Sequence, residues 1–142
     1  MGRNAIIRKE RKLTTQDTTQ SGEVVVSRAS AKYIHCAPRK IKLVADQIRN
    51  KTVTEALEIL NFLHRPSAVP YVLRVLDSAV ANAEKKAEEG QIAVIPEPDK
   101  LVIGEIRVEG APMMKRIRPA SMGRAVRIRK RLSHIHLKLI ES

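Results

Sequence analysis

From residue 38 to residue 90 the apolar positions recur with a helical period. Ile41, Val44, Ala45 and Ile48 follow the i, i+3, i+4, i+7 rule, behind a Pro38 that suits the first turn of a helix. Arg39, Lys42 and Arg49 fall on a different face, and Asn50 can end the helix in a left-handed conformation. Thr52-Val53-Thr54-Glu55 has the form of a capping box, followed by Val53, Ala56, Leu57 and Leu60 at helical spacing. Pro66 and Ser67, with Ser67 as cap, open a longer helix. Its stripe is Val69, Val72, Leu73, Leu76, Ala79, Val80, Ala83 and Ala87, and Gly90 follows as a stop. Twenty-two residues at about 1.5 Å each predict a rod of about 33 Å. Ala79, Ala81 and Ala83 would let a neighbouring element come close.

Either side of this block the period changes. Val24-Val25-Val26 reads as the start of one strand and Ala31–His35 as a second extended piece. Gly90–Lys100, with Pro96 and Pro98, reads as a loop. From Leu101 to Val108, Val102, Ile106 and Val108 share one parity, against Glu105 and Arg107. Ile135, Leu137 and Leu139 alternate with His134, His136 and Lys138. Both segments predict strands with one face buried. The expectation is an α+β fold: three helices packed on a small antiparallel sheet. Residues 24–142 form a single domain, behind a polar, flexible extension over residues 1–23.

Between the two strands lies a stretch of another kind. Eight of the 17 residues from Lys115 to Arg131 are basic, six of them Arg. Pro119 and Gly123 bracket a turn, and Arg127, Arg129 and Arg131 alternate with Val126, Ile128 and Leu132. The pattern predicts a protruding β-hairpin arm over residues 113–131 with one guanidinium-rich edge or face. Ten residues a side would reach about 30 Å. A two-stranded ribbon alone in water is marginal, so the arm calls for a host.

Charge identifies the host's sign. The chain of 142 residues carries 27 Lys and Arg against 15 Asp and Glu, a formal +12. Residues 32–109 are almost neutral, whereas no acidic residue stands between Gly110 and Ile140. Unmixed charge in a structured element points to an external polyanion, and Arg suits bidentate contact with phosphate. Three aromatic residues in the whole chain argue against modules that stack successive bases. Shape, phosphate and ribose contacts are the expected mode.

Catalytic and metal chemistry find little support. His134 and His136 share a strand face without a Cys or carboxylate beside them, so a hydrogen bond to RNA or backbone is expected of His134 rather than a metal. His35 and Cys36 point to opposite faces of an extended segment, and the carboxylates are scattered. Neither cofactor nor metal is expected. A lone Cys, with neither a membrane-length apolar run nor a secretory signal, fits a reducing, cytoplasmic home. Met113, Met114 and Met122 fit either a soft contact surface or, for the first two, ordinary packing against hairpin neighbours or RNA sugars.

Four blocks in order carry a resemblance: Ala37–Asp46, Ser78–Glu84, Lys115–Pro119 and Gly123–Ile135. Together they resemble the universal large-subunit ribosomal protein family uL22 over about residues 30–141. The resemblance implies a body near the exit of the peptide tunnel and a hairpin driven through large-subunit (23S-type) rRNA. It assigns rRNA contact to Arg39, Lys40, Lys42, Lys115, Arg116, Arg118, Arg124, Arg127, Arg129, Lys130, Arg131 and His134. The tunnel-tip role falls on Arg118, Pro119, Ala120, Ser121, Met122, Gly123, Arg124 and Ala125, facing nascent peptide and near the macrolide pocket. Neighbouring ribosomal proteins are implied partners of a chain monomeric within the ribosome. Members commonly carry a basic residue directly after the tip proline, where this sequence has Ala120; the N-terminal extension and the insert around Gln91–Pro98 are also longer than in the commonest bacterial form. The competing class is a DNA-bending, histone-like protein, which also carries β-arms but needs a dimeric body.

Overall fold

The computed structural model describes residues 25–89 and 99–141. The expected extension over residues 1–23, Val24, the Gly90 stop and the loop with its Gln91–Pro98 insert lie outside those residues. The elements run β1 (Val25–Ile34), α1 (Pro38–Ile48), α2 (Val53–Phe62), α3 (Val69–Glu88), β2 (Leu101–Pro119) and β3 (Ala125–Glu141). The fold is the expected α+β arrangement of three helices on an antiparallel sheet, whose strand order is β1-β3-β2.

Pro38 opens α1, and Ile41, Val44, Ala45 and Ile48 are its buried residues. Asn50 follows with φ 58°, and its amide donates to Ile103 O at 3.1 Å, so the left-handed turn delivers the chain to the edge of β2. At the head of α2 the Thr52 hydroxyl accepts from the Glu55 amide at 3.3 Å, and Val53, Ala56 and Leu60 are buried.

At α3 the expected cap gives way. Ser67 stays within a turn closed by Ala68 N and Val69 N on Arg65 O, both at 3.0 Å. Ala68 is the N-cap, without a side-chain cap bond. Pro70 in the first turn presets φ there and needs no acceptor, so the helix starts without a hydroxyl. The helix is 20 residues long, and Val75 joins its buried stripe while Ala81 is exposed. Ala79 and Ala83 do provide the close approach. Ser27 Oγ donates to Ala79 O at 2.8 Å, Asn82 Nδ2 to Arg28 O at 2.9 Å and Lys86 Nζ to Val26 O at 2.9 Å. Thus α3 covers the edge of β1, which would otherwise invite another strand.

The two extended pieces near the start are one strand. Val25 pairs with Ile140 and Ile34 with Ser133, with register shifts between Val25 and Ser27 and between Ala31 and Ile34. The polar middle, Arg28 to Ser30, pairs through its backbone with Lys138 to His136, which the side-chain pattern does not reveal. In β2 the parity expected from Val102 to Val108 breaks at Gly104. Leu101 and Ile103 are buried before it and Ile106 after it, because the register shifts between Ile103 and Glu105. A Cβ on Gly104 would lie 2.9 Å from Ile140 Cγ2, so the bulge needs a residue without one. The alternation of Ile135, Leu137 and Leu139 in β3 is buried as expected.

Candidate nucleic-acid interface

Beyond the body, β2 and β3 continue as a ribbon. Paired rows run from Met114↔Lys130 through Lys115↔Arg129, Arg116↔Ile128, Ile117↔Arg127 and Arg118↔Val126 to Pro119↔Ala125. Ser133 is the last fully enclosed β3 residue on the way out; from there to Ala125 the ribbon runs about 25 Å at about 3.3 Å per residue. Its residues from Lys115 to Arg131 are all exposed.

Residues opposite one another share a face of the ribbon. One face therefore carries Lys115, Arg127 and Arg129, and by strand alternation Arg131. The other carries Arg116, Arg118 and Lys130 beside Val126 and Ile128. The alternation read from β3 alone predicted one guanidinium-rich side. Pairing with β2 brings Arg116 and Arg118 onto the opposite side, so both faces are cationic. Among the described residues no carboxylate pairs with any of the eight arm cations; the ion pairs present, Arg49–Asp46, Lys51–Glu55, Arg107–Glu105 and Lys138–Glu105, all belong to the body. Arg116 is the one arm cation that folds back, donating to Lys115 O at 2.9 Å.

The tip is a tight loop. Ala120 N donates to Arg124 O at 2.8 Å, enclosing a one-turn 3₁₀ segment at Ser121–Gly123. Met122 (φ 59°) and Gly123 (φ 70°) are both left-handed, and the Met122 side chain stands 92% exposed at the apex. Arg118 and Arg124 flank it, and Ala120 is exposed.

At the root, two bonds tie the end of β1 and the segment that follows it to β3. Ser133 Oγ donates to Cys36 O at 2.9 Å within the buried core. The Tyr33 amide donates to His134 Nδ1 at 3.0 Å, which makes that nitrogen an acceptor and puts the ring proton on Nε2. His134 is thus held by backbone, as expected, with Nε2–H left to donate outward. No signal in the sequence marked Tyr33 as its partner. Burial pushes the Cys36 thiol up from its ordinary value, against the charge of Lys40, so the thiolate a nucleophile needs is disfavoured. Arg39, Lys40 and Lys42 are exposed on α1. The structure brings the arm cations and tip together in one projection, whereas the α1 cations remain on the body.

A small α+β body bearing a long ribbon, cationic on both faces, defines a class of protein: a compact scaffold with a projecting basic arm. The chain belongs to the ribosomal protein L22p/L17e family, whose model matches residues 29–140. Relatives named large ribosomal subunit protein uL22 agree over most of the chain. That of Caldicellulosiruptor saccharolyticus is 46% identical over 84% of this chain and 91% of its own length. Those of Maridesulfovibrio salexigens and Desulfitobacterium hafniense (strain Y51) are 48% and 44% identical, over 77% and 81% of this chain and 92% and 94% of theirs. The chain is accordingly a structural, non-enzymatic ribosomal protein of the large subunit, and the DNA-bending alternative falls away.

Proposed function

We propose that the protein threads its arm through large-subunit rRNA, supporting assembly, and that Arg118–Ala125 at the tip forms part of the wall of the nascent-peptide tunnel. The observation that carries this reading is the ribbon's charge. Seven cations distributed over two faces, with an eighth at the tip, extend beyond the core and have no carboxylate partner among the described residues. An isolated ribbon of this kind repels itself and has little burial to hold it. Phosphates on both sides at once would neutralise it, which is the geometry of a channel through folded RNA rather than of a flat surface. Arg39, Lys40 and Lys42 would extend the same contact onto the body, and His134 would touch rRNA at the root of the arm. Nascent peptide, the macrolide pocket and neighbouring ribosomal proteins are then the other contacts of a single embedded copy in cytoplasmic ribosomes.

The test pairs two variants. Arg127→Glu with Arg131→Glu reverses charge on one face and should prevent co-sedimentation with large subunits after a high-salt wash, with the helical circular dichroism unchanged. Deleting Ser121–Arg124 should leave sedimentation intact while altering nascent-chain crosslinks and macrolide footprints. Normal incorporation of the first variant would overturn the rRNA reading. Unchanged crosslinks and footprints in the second would overturn the tunnel reading.

A further inference from the structure

Residues 32 and 33 sit in a bulge. Ala31 pairs with Ile135 and Ile34 with Ser133, so Lys32 and Tyr33 together face the single residue His134. Such an insertion re-aims a side chain, and its left-handed position is ordinarily the place of glycine. Here it is Tyr33, at φ 57°. A bulky residue held left-handed is a strained choice that persists when something else is gained. The local gain is visible. The Tyr33 amide donates to His134 Nδ1, and the two rings meet edge to face, with centroids 4.9 Å apart and planes at 85°. This pins the tyrosine ring without burying it, for Tyr33 remains 58% exposed.

From these observations we propose that Tyr33, steadied by His134, is a stacking platform for one unpaired base of large-subunit rRNA at the root of the arm. The inference rests on the rRNA reading above and adds a site to it. Three features select a base. The ring is an exposed π-face in a chain with three aromatic residues, sufficient for one nucleotide and too few for a stacking module. His134 lies in the same β3 parity row as Lys130, whose ribbon face also carries Arg116 and Arg118, so the platform continues into a cationic strip that would hold the flanking phosphates. Glu109 pairs across from His134, which disfavours phosphate at the platform itself while leaving an uncharged base acceptable. Folded rRNA supplies such bases wherever a loop or bulge is splayed open.

Tyr33→Asn tests this directly, since asparagine tolerates the left-handed conformation and deletes the ring. Its affinity for the large-subunit rRNA segment should fall about 5- to 150-fold, the range of one lost stack, while Tyr33→Phe retains wild-type binding. In assembled subunits a photoreactive phenylalanine at position 33 should crosslink to a single rRNA nucleotide, and that nucleotide should become more reactive to base-specific probes in Tyr33→Asn. Crosslinks solely to a neighbouring protein, or wild-type affinity in a folded Tyr33→Asn, would overturn the platform. Arg127→Glu with Arg131→Glu is measured alongside: if it weakens binding and Tyr33→Asn does not, the platform fails and the rRNA reading stands. If neither weakens it, the rRNA reading fails too.

Discussion

Glu105 shows what the outer face of the sheet asks of a charged residue. Its side chain is largely enclosed, with Lys138 Nζ 2.6 Å from one oxygen and Arg107 on the other. Burial works against the carboxylate, but the close approach of Lys138 and then Arg107 outweighs it and holds the carboxyl below its ordinary 4.5. A lowered carboxylate contributes stability above its ordinary value and loses it as pH falls through the lowered one. The body should therefore weaken as the pH falls below 4.5, and Glu105→Gln should flatten that part of the profile. Thermal midpoints across the range check it; a wild-type slope in the variant would contradict it. Residue-scale features like this were the least legible in the sequence. Glu105 and Arg107 read only as an outward parity. The left-handed Tyr33 left no trace, because a bulge is a property of two strands in register and no glycine announced it. The Ser67 hydroxyl looked like a cap, yet Pro70 starts the helix without one.

Elements were legible wherever burial imposes a period. The stripes of α1 and α2 and the alternation of Ile135, Leu137 and Leu139 are core residues in the positions their spacing gives. Where the backbone alone does the pairing, as at Arg28–Ser30, side chains carry no such message. The same contrast divides β2 and β3 along their lengths. Their body halves are backed by helices, and their arm halves have exposed residues on both faces. Amides of residues 113–131 should then exchange rapidly in the free protein while those of Ile135–Leu139 stay protected, since opening follows local burial. Hydrogen exchange with and without large-subunit rRNA measures this; full protection of the free arm would show that the ribbon stands unaided.

The whole molecule separates its two tasks by charge. Residues 32–109, the larger part of the body, are almost neutral, whereas the arm concentrates the positive excess. If the eight arm cations contact phosphate, they fall within the 6–10 contacts for which affinity drops about 10³–10⁵-fold between 50 and 200 mM salt in duplex binding. Titration against the rRNA segment at several salt concentrations should give a steep logarithmic slope, and reversing Arg127 and Arg131 should make it shallower. A wild-type slope near zero would remove phosphate from the account.

The strand order β1-β3-β2 has a consequence for synthesis. β3 lies between the other two strands, yet it is translated after both of them. While it is awaited, β1 and β2 have no strand between them, and the helices have only those separate strands to pack against. A chain that ends before Ala125 would lack the sheet on which its helices pack, and would lie open to proteases and chaperones. Late arrival of the middle strand thus ties the closing of the core to the completion of the arm: an interrupted copy has neither.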